Sequence, residues 1–216
     1  MSNDELRYDV EEELFWEPRI DNEAIAVSTD DGDVTLRGTV GSFHEKRAAA
    51  NAAKRVYGVT TVDNELKVRL LDGYGRDDAD LRGAVLQALM LDAAVPSSID
   101  ASVKDGIVTL SGVAPFHYQR AEAEFVAGNV PGVIALDDEV ELTVDDPSPD
   151  DVRHSIKKAF KRDASLDAEA LTIDTFDGAV TLSGHVDSWA AHDAAVNAAW
   201  AAPGVRAVDD EIVVDY

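Results

Sequence analysis

The chain has 216 residues, 45% of them hydrophobic and none of them cysteine, and its 43 Asp+Glu outweigh 19 Lys+Arg to leave a formal charge of −24. That hydrophobic share belongs to a folded protein, and the missing cysteines exclude disulfides, thiolate metal sites and cysteine nucleophiles. The acidic excess repels phosphate backbones, so nucleic acid is not an expected partner.

In chain order, Leu6, Val10 and Leu14 recur every fourth residue and predict a first helix. A short alternating strand around Ile25 and Val27 follows, then Asp31-Gly32, the pair suited to a tight hairpin turn. Val34-Thr35-Leu36 predicts the returning strand, which is expected to end at Gly38, where the chain bends. An alanine-rich helix is predicted from Glu45 to Tyr57, and Gly58-Val59 leads into a last strand through Asp63-Asn64-Glu65-Leu66.

The order then repeats. Leu81, Val85 and Leu89 begin it again, followed by Asp105-Gly106, Val108-Thr109-Leu110 and Gly112, a helix from Tyr118 to Val130, and Gly132-Val133. The third pass has Val152, Ile156 and Phe160, then Leu171 and Ile173, Asp177-Gly178, Val180-Thr181-Leu182 and Gly184, a helix from Ala191 to Ala202, and Gly204-Val205. Equivalent glycines are 74 and then 72 residues apart, and five features held in register three times make an internal repeat. The fold class is α/β (α+β): three tandem α-β-β-α-β modules, each a three-stranded mixed sheet packed on two helices. The expected modules are 1–71, 76–144 and 148–216, with polar linkers at 72–78 and 145–151.

The Asp-Gly turn, the Val-Thr-Leu-Ser-Gly strand, the helix and the Gly-Val before an acidic strand together resemble the BON (bacterial OsmY and nodulation) module. The resemblance covers nearly the whole chain. It implies a module without catalysis or cofactor, of a kind associated with phospholipid surfaces, osmotic shock and channel assembly. It also places lipid contact on the first helix of the second module. Here that helix has Arg82 as its only base, so the fold is carried over and that site is not.

Candidate chemistry is sparse. Asp30-Asp31-Gly32-Asp33 lacks the alternating ligands of a calcium loop and reads as a solvated turn. His44, His117, His154, His185 and His192 neither repeat in register nor show zinc spacing. Ser183, His185, Asp187, Ser188 and His192 crowd one stretch, but without a nucleophile elbow. A KH-type RNA clamp needs GXXG between helices and a basic face, and neither is expected. No catalytic, metal or cofactor residue is assigned.

Two surfaces differ between the copies. Phe15, Leu86 and Met90 lie off the apolar stripe of their first helices and form a candidate apolar contact, with packing between modules preferred to lipid. In the third copy Arg153, His154, Lys157, Lys158, Lys161 and Arg162 oppose Val152, Ile156 and Phe160. A basic amphipathic helix suits an anionic membrane surface or an acidic protein partner, against an ordinary solvated face. The function expected is a non-catalytic, stress- or envelope-related binding protein with reversible contact to anionic phospholipid. The alternative is an assembly module that binds itself or another protein. Gly38, Gly112 and Gly184 are structural bend glycines. No apolar run approaches the ~20 residues that span a bilayer. Residues 1–17 lack the pattern of a signal peptide, and a cytoplasmic protein is expected.

Overall fold

Local chemistry starts each module in the same way. In this computed structural model, which describes residues 2–70, 75–143 and 148–215, the first helices are α1 (Asn3–Trp16), α3 (Asp78–Leu91) and α5 (Pro149–Phe160). Ser2, Asp77 and Ser148 cap them, each accepting a hydrogen bond from a backbone N–H of the first turn, which satisfies a donor that has no intrahelical partner. Each helix buries the stripe predicted for it: Leu6, Val10 and Leu14; Leu81, Val85 and Leu89; Val152, Ile156 and Phe160.

The first module continues with β1 (Ile25–Asp30), β2 (Asp33–Val40), α2 (Phe43–Lys54), β3 (Thr61–Asn64) and β4 (Lys67–Val68). The second has β5 (Ile99–Lys104), β6 (Ile107–Ala114), α4 (His117–Gly128) and β7 (Ala135–Leu142) after α3. The third has β8 (Leu171–Phe176), β9 (Ala179–Val186), α6 (Trp189–Trp200) and β10 (Ala207–Val214) after α5. The middle strand of each sheet is the second strand of the hairpin, giving the orders β1-β2-β3, β5-β6-β7 and β10-β9-β8. Each hairpin is antiparallel, and β2–β3 and β9–β10 are parallel, so the sheets are mixed. In the first module the last strand is interrupted at Glu65-Leu66, and β4 resumes the pairing with β2.

The hairpin turns adopt the conformation their residues favour. Asp31, Asp105 and Asp177 have φ of 48°, 52° and 48°, and the glycines after them are also positive, as a two-residue primed turn requires. The first helices hold these tips. Asp31 N donates to Asn3 Oδ1 at 3.0 Å, and Asp105 N and Gly106 N donate to the Asp78 carboxylate at 2.8 and 3.0 Å.

Alternation then places the core. Val34 and Leu36, Val108 and Leu110, and Val180 and Leu182 are fully buried under the helices. Ala49, Ala52 and Ala53 of α2, with Ala195 and Ala199 of α6, let the second helices lie close to the sheet.

Two expectations are corrected. The second helices start and stop earlier than the alanine pattern suggests, because Ser42 and Ser188 cap α2 and α6. The last turn then tightens through bonds such as Arg55 N to Ala52 O and Ala202 N to Ala199 O. The bend glycines do not end strands. Gly38, Gly112 and Gly184 lie inside β2, β6 and β9, opposite Ile25, Ile99 and Leu171. Their φ values are 130°, 119° and 126°, and a Cβ on each would meet the carbonyl oxygen of Ala24, Ser98 or Ala170 at 1.9–2.2 Å. A side chain is missing there because the backbone entering the neighbouring strand occupies its place.

The chain divides into two units, Met1–Ala114 with Gln119–Glu141, and Pro115–Tyr118 with Leu142–Tyr216. The linker stretches lie partly outside the described residues: 75–78 run into α3, and 148–151 cap and begin α5. Among the described residues no helix is long and apolar enough to cross a membrane.

Candidate functional site

The basic surface of the third module is built by α5. Val152, Ile156 and Phe160 turn inward, and His154, Lys157 and Lys158 are exposed on the remaining circumference. The helix ends sooner than its charge pattern: Lys161 is the C-cap and Arg162 follows in the turn, both exposed. Four bases therefore gather at the helix's C-terminal end, where the macrodipole favours positive charge. Arg153 differs from the rest. It is half-buried and faces Asp150 at 3.6 Å and Asp174 at 4.0 Å, so it belongs to the module's own surface. Among the described residues, Lys157, Lys158, Lys161 and Arg162 form no ion pair within 4.0 Å.

The corresponding ends of the other first helices are apolar. Phe15 is 64% exposed and Met90 85%, and Leu86 is half-buried. Sequence reasoning missed their neighbours. Trp16 is 70% exposed and meets Phe15 edge to face at 5.5 Å, and Leu91 is 79% exposed. Aligning the repeats places Phe15-Trp16, Met90-Leu91 and Lys161-Arg162 at the same two positions, and that alignment was the available signal.

A second surface runs along α2 and α4, within the first unit. Arg47 of α2 lies over the Phe125 ring, 4.9 Å from its centroid, and its Nη2 donates to Asn129 Oδ1 at 3.0 Å. His44 Nδ1 is 2.8 Å from the same oxygen. The Phe43 ring covers Gly128 so closely that a Cβ there would meet it at 3.0 Å. Burial pushes the Arg47 guanidinium below its usual pKa, opposed by the Glu124 charge. Within the second unit, His117 stacks on Trp200 with centroids 4.0 Å apart.

Other polar groups serve the modules internally. Arg120 pairs with Asp138, and at the same repeat positions His192 Nε2 lies 2.7 Å from Asp210 Oδ2, tying the second helix to the last strand. Near α1, Glu17 is buried between Arg19 at 2.6 Å and Arg55 at 2.9 Å. Hydrogen bonding from Arg19 first, then from Arg55, holds its carboxyl at about 2, against a desolvation cost that acts the other way.

The stretch with mixed hydrolase residues is not assembled for acyl transfer. His185 faces Asp215 at 3.7 Å, His192 faces Asp193 and Asp210, and Ser188 caps α6. Neither Ser183 nor Ser188 is hydrogen-bonded to a histidine among the described residues. His185, Asp187 and Asp215 instead line an open groove of about 450 Å³, repeated in the first module by Thr39, Gly41 and Arg69 in one of about 470 Å³. Gly38-Thr39-Val40-Gly41 does have GXXG spacing. It runs along β2, however, and Gly41 N donates to Glu45 Oε2 at 2.6 Å, so the amide that would meet a phosphate is held by a carboxylate.

The match of a family model agrees with the three-module architecture. The BON domain family matches three times, at residues 2–69, 77–144 and 148–216. The Osmotically-inducible protein Y of Escherichia coli (strain K12) is 37% identical over 115 residues, which are 50% of this chain and 57% of that protein. The match thus spans little more than half of its relative's length. Two solved structures of CdsD, a structural protein of the type III secretion system of Chlamydia trachomatis, align at 18% and 16% identity. They cover 98% and 100% of this chain and 92% and 100% of theirs. Both have a TM-score of 0.28 and bear on nothing further.

Proposed function

The chain belongs to the BON domain family, and from that membership we propose that it is a non-catalytic binding protein whose third module makes reversible contact with anionic phospholipid surfaces. The observation that carries this is the exposed set Lys157, Lys158, Lys161 and Arg162 at the end of α5, in a chain of charge −24. Each base near an anionic membrane surface contributes about 1 kcal/mol. Residues 145–216 carry 6 bases against 15 acids, so attraction prevails only at short range, where salt screens the distant carboxylates. The exposed Phe15-Trp16 and Met90-Leu91 pairs are the apolar counterparts at the same helix ends. Likeness to an osmotically inducible protein supports a role under osmotic stress.

Sedimentation with vesicles tests the reading. Phosphatidylglycerol-rich vesicles should carry the protein down weakly, neutral phosphatidylcholine vesicles should not, and binding should peak at intermediate salt. The variant K157E/K158E/K161E should lose binding and keep its melting temperature, since these side chains face away from the core. Indifference of the wild type to anionic vesicles at every salt concentration would end the proposal.

A further inference from the structure

The first module carries a groove with unanswered charges. It lies at the carboxyl ends of the parallel strands β2 and β4, beside the start of α2, and that end of an α/β sheet is where ligands ordinarily bind. Asp21 and Glu23 line it from the turn before β1, Thr39 from β2, Glu45 from α2 and Arg69 from the residue after β4. Its volume of about 470 Å³ falls within the ~300–1,000 Å³ usual for small-molecule sites.

Two of the groove's charges are engaged and two are not. Asp21 Oδ1 accepts from Glu23 N at 3.3 Å, and Glu45 Oε2 accepts from Gly41 N at 2.6 Å. The side chains of Glu23 and Arg69 are exposed, and among the described residues neither makes a hydrogen bond or an ion pair. The module's other arginines are all occupied: Arg7, Arg19, Arg37 and Arg55 hold carboxylates, and Arg47 lies over Phe125. Arg69 is fixed at the groove by its backbone, since its N–H donates to Val40 O at 2.8 Å. A guanidinium and carboxylates that share a groove without pairing suit a ligand that carries both signs.

The other modules show that this set is particular to the first. The groove of the third module uses the same repeat positions, but His185 and Asp215 replace Thr39 and Arg69 and face each other at 3.7 Å. Base and acid there answer one another. In the second module Gln119 and Thr143 stand at the positions of Glu45 and Arg69. We propose that the first module's groove binds a free amino acid with a cationic side chain, its carboxylate on Arg69 and its two cationic groups on Glu23 and the neighbouring acids. Three carboxylates against one guanidinium leave two negative charges uncompensated, so a ligand of net positive charge balances them better than a neutral zwitterion. This site goes beyond the lipid contact of the third module and does not depend on it. Its charged groups are exposed or half-buried, so weak binding is expected, with a Kd of about 1–10 mM.

Titration of the full chain with L-arginine, followed by its amide resonances at ~0.15 M salt, tests this. Saturable shifts should appear at Ala24, Thr39, Gly41 and Arg69, and not at Ala170, His185, Asp187 and Asp215 of the third module's groove. Agmatine, the same molecule without its carboxylate, is the discriminating probe. Unspecific attraction to a chain of charge −24 favours agmatine, the more positive of the two. The proposed site instead holds L-arginine about threefold tighter, through the added pair with Arg69. Arg69→Gln should abolish that preference, and Glu23→Gln should weaken L-arginine about threefold. Both variants should keep the wild-type melting temperature, because the two side chains are exposed and unpaired. Agmatine binding as tightly as L-arginine, shifts that do not saturate or that appear equally in the third module, or an Arg69→Gln variant with the preference intact would each overturn the proposal.

Discussion

Replacing Gly112 by alanine is the sharpest test of how these modules are built. The residue lies within β6 at φ 119°, and a Cβ there meets Ser98 O at 2.1 Å and Ile99 Cα at 3.1 Å. Two costs add. Holding a non-glycine residue at this φ costs about 1–3 kcal/mol, and forcing an atom into occupied space costs about 1–3 kcal/mol more. Contacts under 3.0 Å essentially never occur for a real Cβ, so the Ser98 carbonyl must retreat by about 1 Å and loosen the Ile99–Gly112 pairing. The total, about 2–6 kcal/mol, compares with roughly 3–10 kcal/mol for a module of ~70 residues. Gly112→Ala should therefore unfold the second module at markedly lower urea, followed by circular dichroism and by its amide resonances. Gly38→Ala and Gly184→Ala should do the same to the first and third. Gly83 is the control: it lies in α3 with open space around its Cβ direction, so Gly83→Ala should stabilise by about 0.5–1 kcal/mol. If Gly112→Ala unfolds at the wild-type midpoint, the close approach is not what the glycine is for.

Two further outcomes follow from charge. Because the Glu17 carboxyl is held at about 2, below its ordinary 4.5, the stabilisation it supplies is complete above 4.5 and is lost as pH falls towards 2. Glu17→Gln should lower the first module's melting temperature at pH 7 and flatten that acid limb, and a variant with the wild-type acid profile would refute the assignment. With −24 formal charges, self-repulsion weakens the fold at low ionic strength. Melting temperature should therefore rise on adding sodium chloride, whereas a flat profile would show carboxylates too dispersed to matter.

Much of the fold was legible because its causes are local. Asp-Gly sets a hairpin through the φ values of two residues, the Leu6-Val10-Leu14 stripe marks its own buried face, and three repetitions turned each weak signal into a strong one. The basic face of α5 was legible for the same reason, since helical spacing alone places Lys157, Lys158 and Lys161 opposite Ile156. What failed depended on partners distant in sequence. Gly38, Gly112 and Gly184 looked like strand ends, yet their role comes from a carbonyl 14 residues earlier that alignment along the chain cannot locate. Periodicity put Phe15 and Met90 off the core stripe but could not say whether anything covers them. Ser42 and Ser188 moved the helix starts through single hydrogen bonds that the alanine pattern does not register. Arg47 on Phe125, and His192 between Asp193 and Asp210, exist only because separate segments are brought to one place. Turn, strand and helix identity were determined by the sequence because they rest on backbone conformation and on one face of one element. Which residues meet, and which stay exposed, was decided by tertiary structure, because those energies belong to pairs that only packing creates.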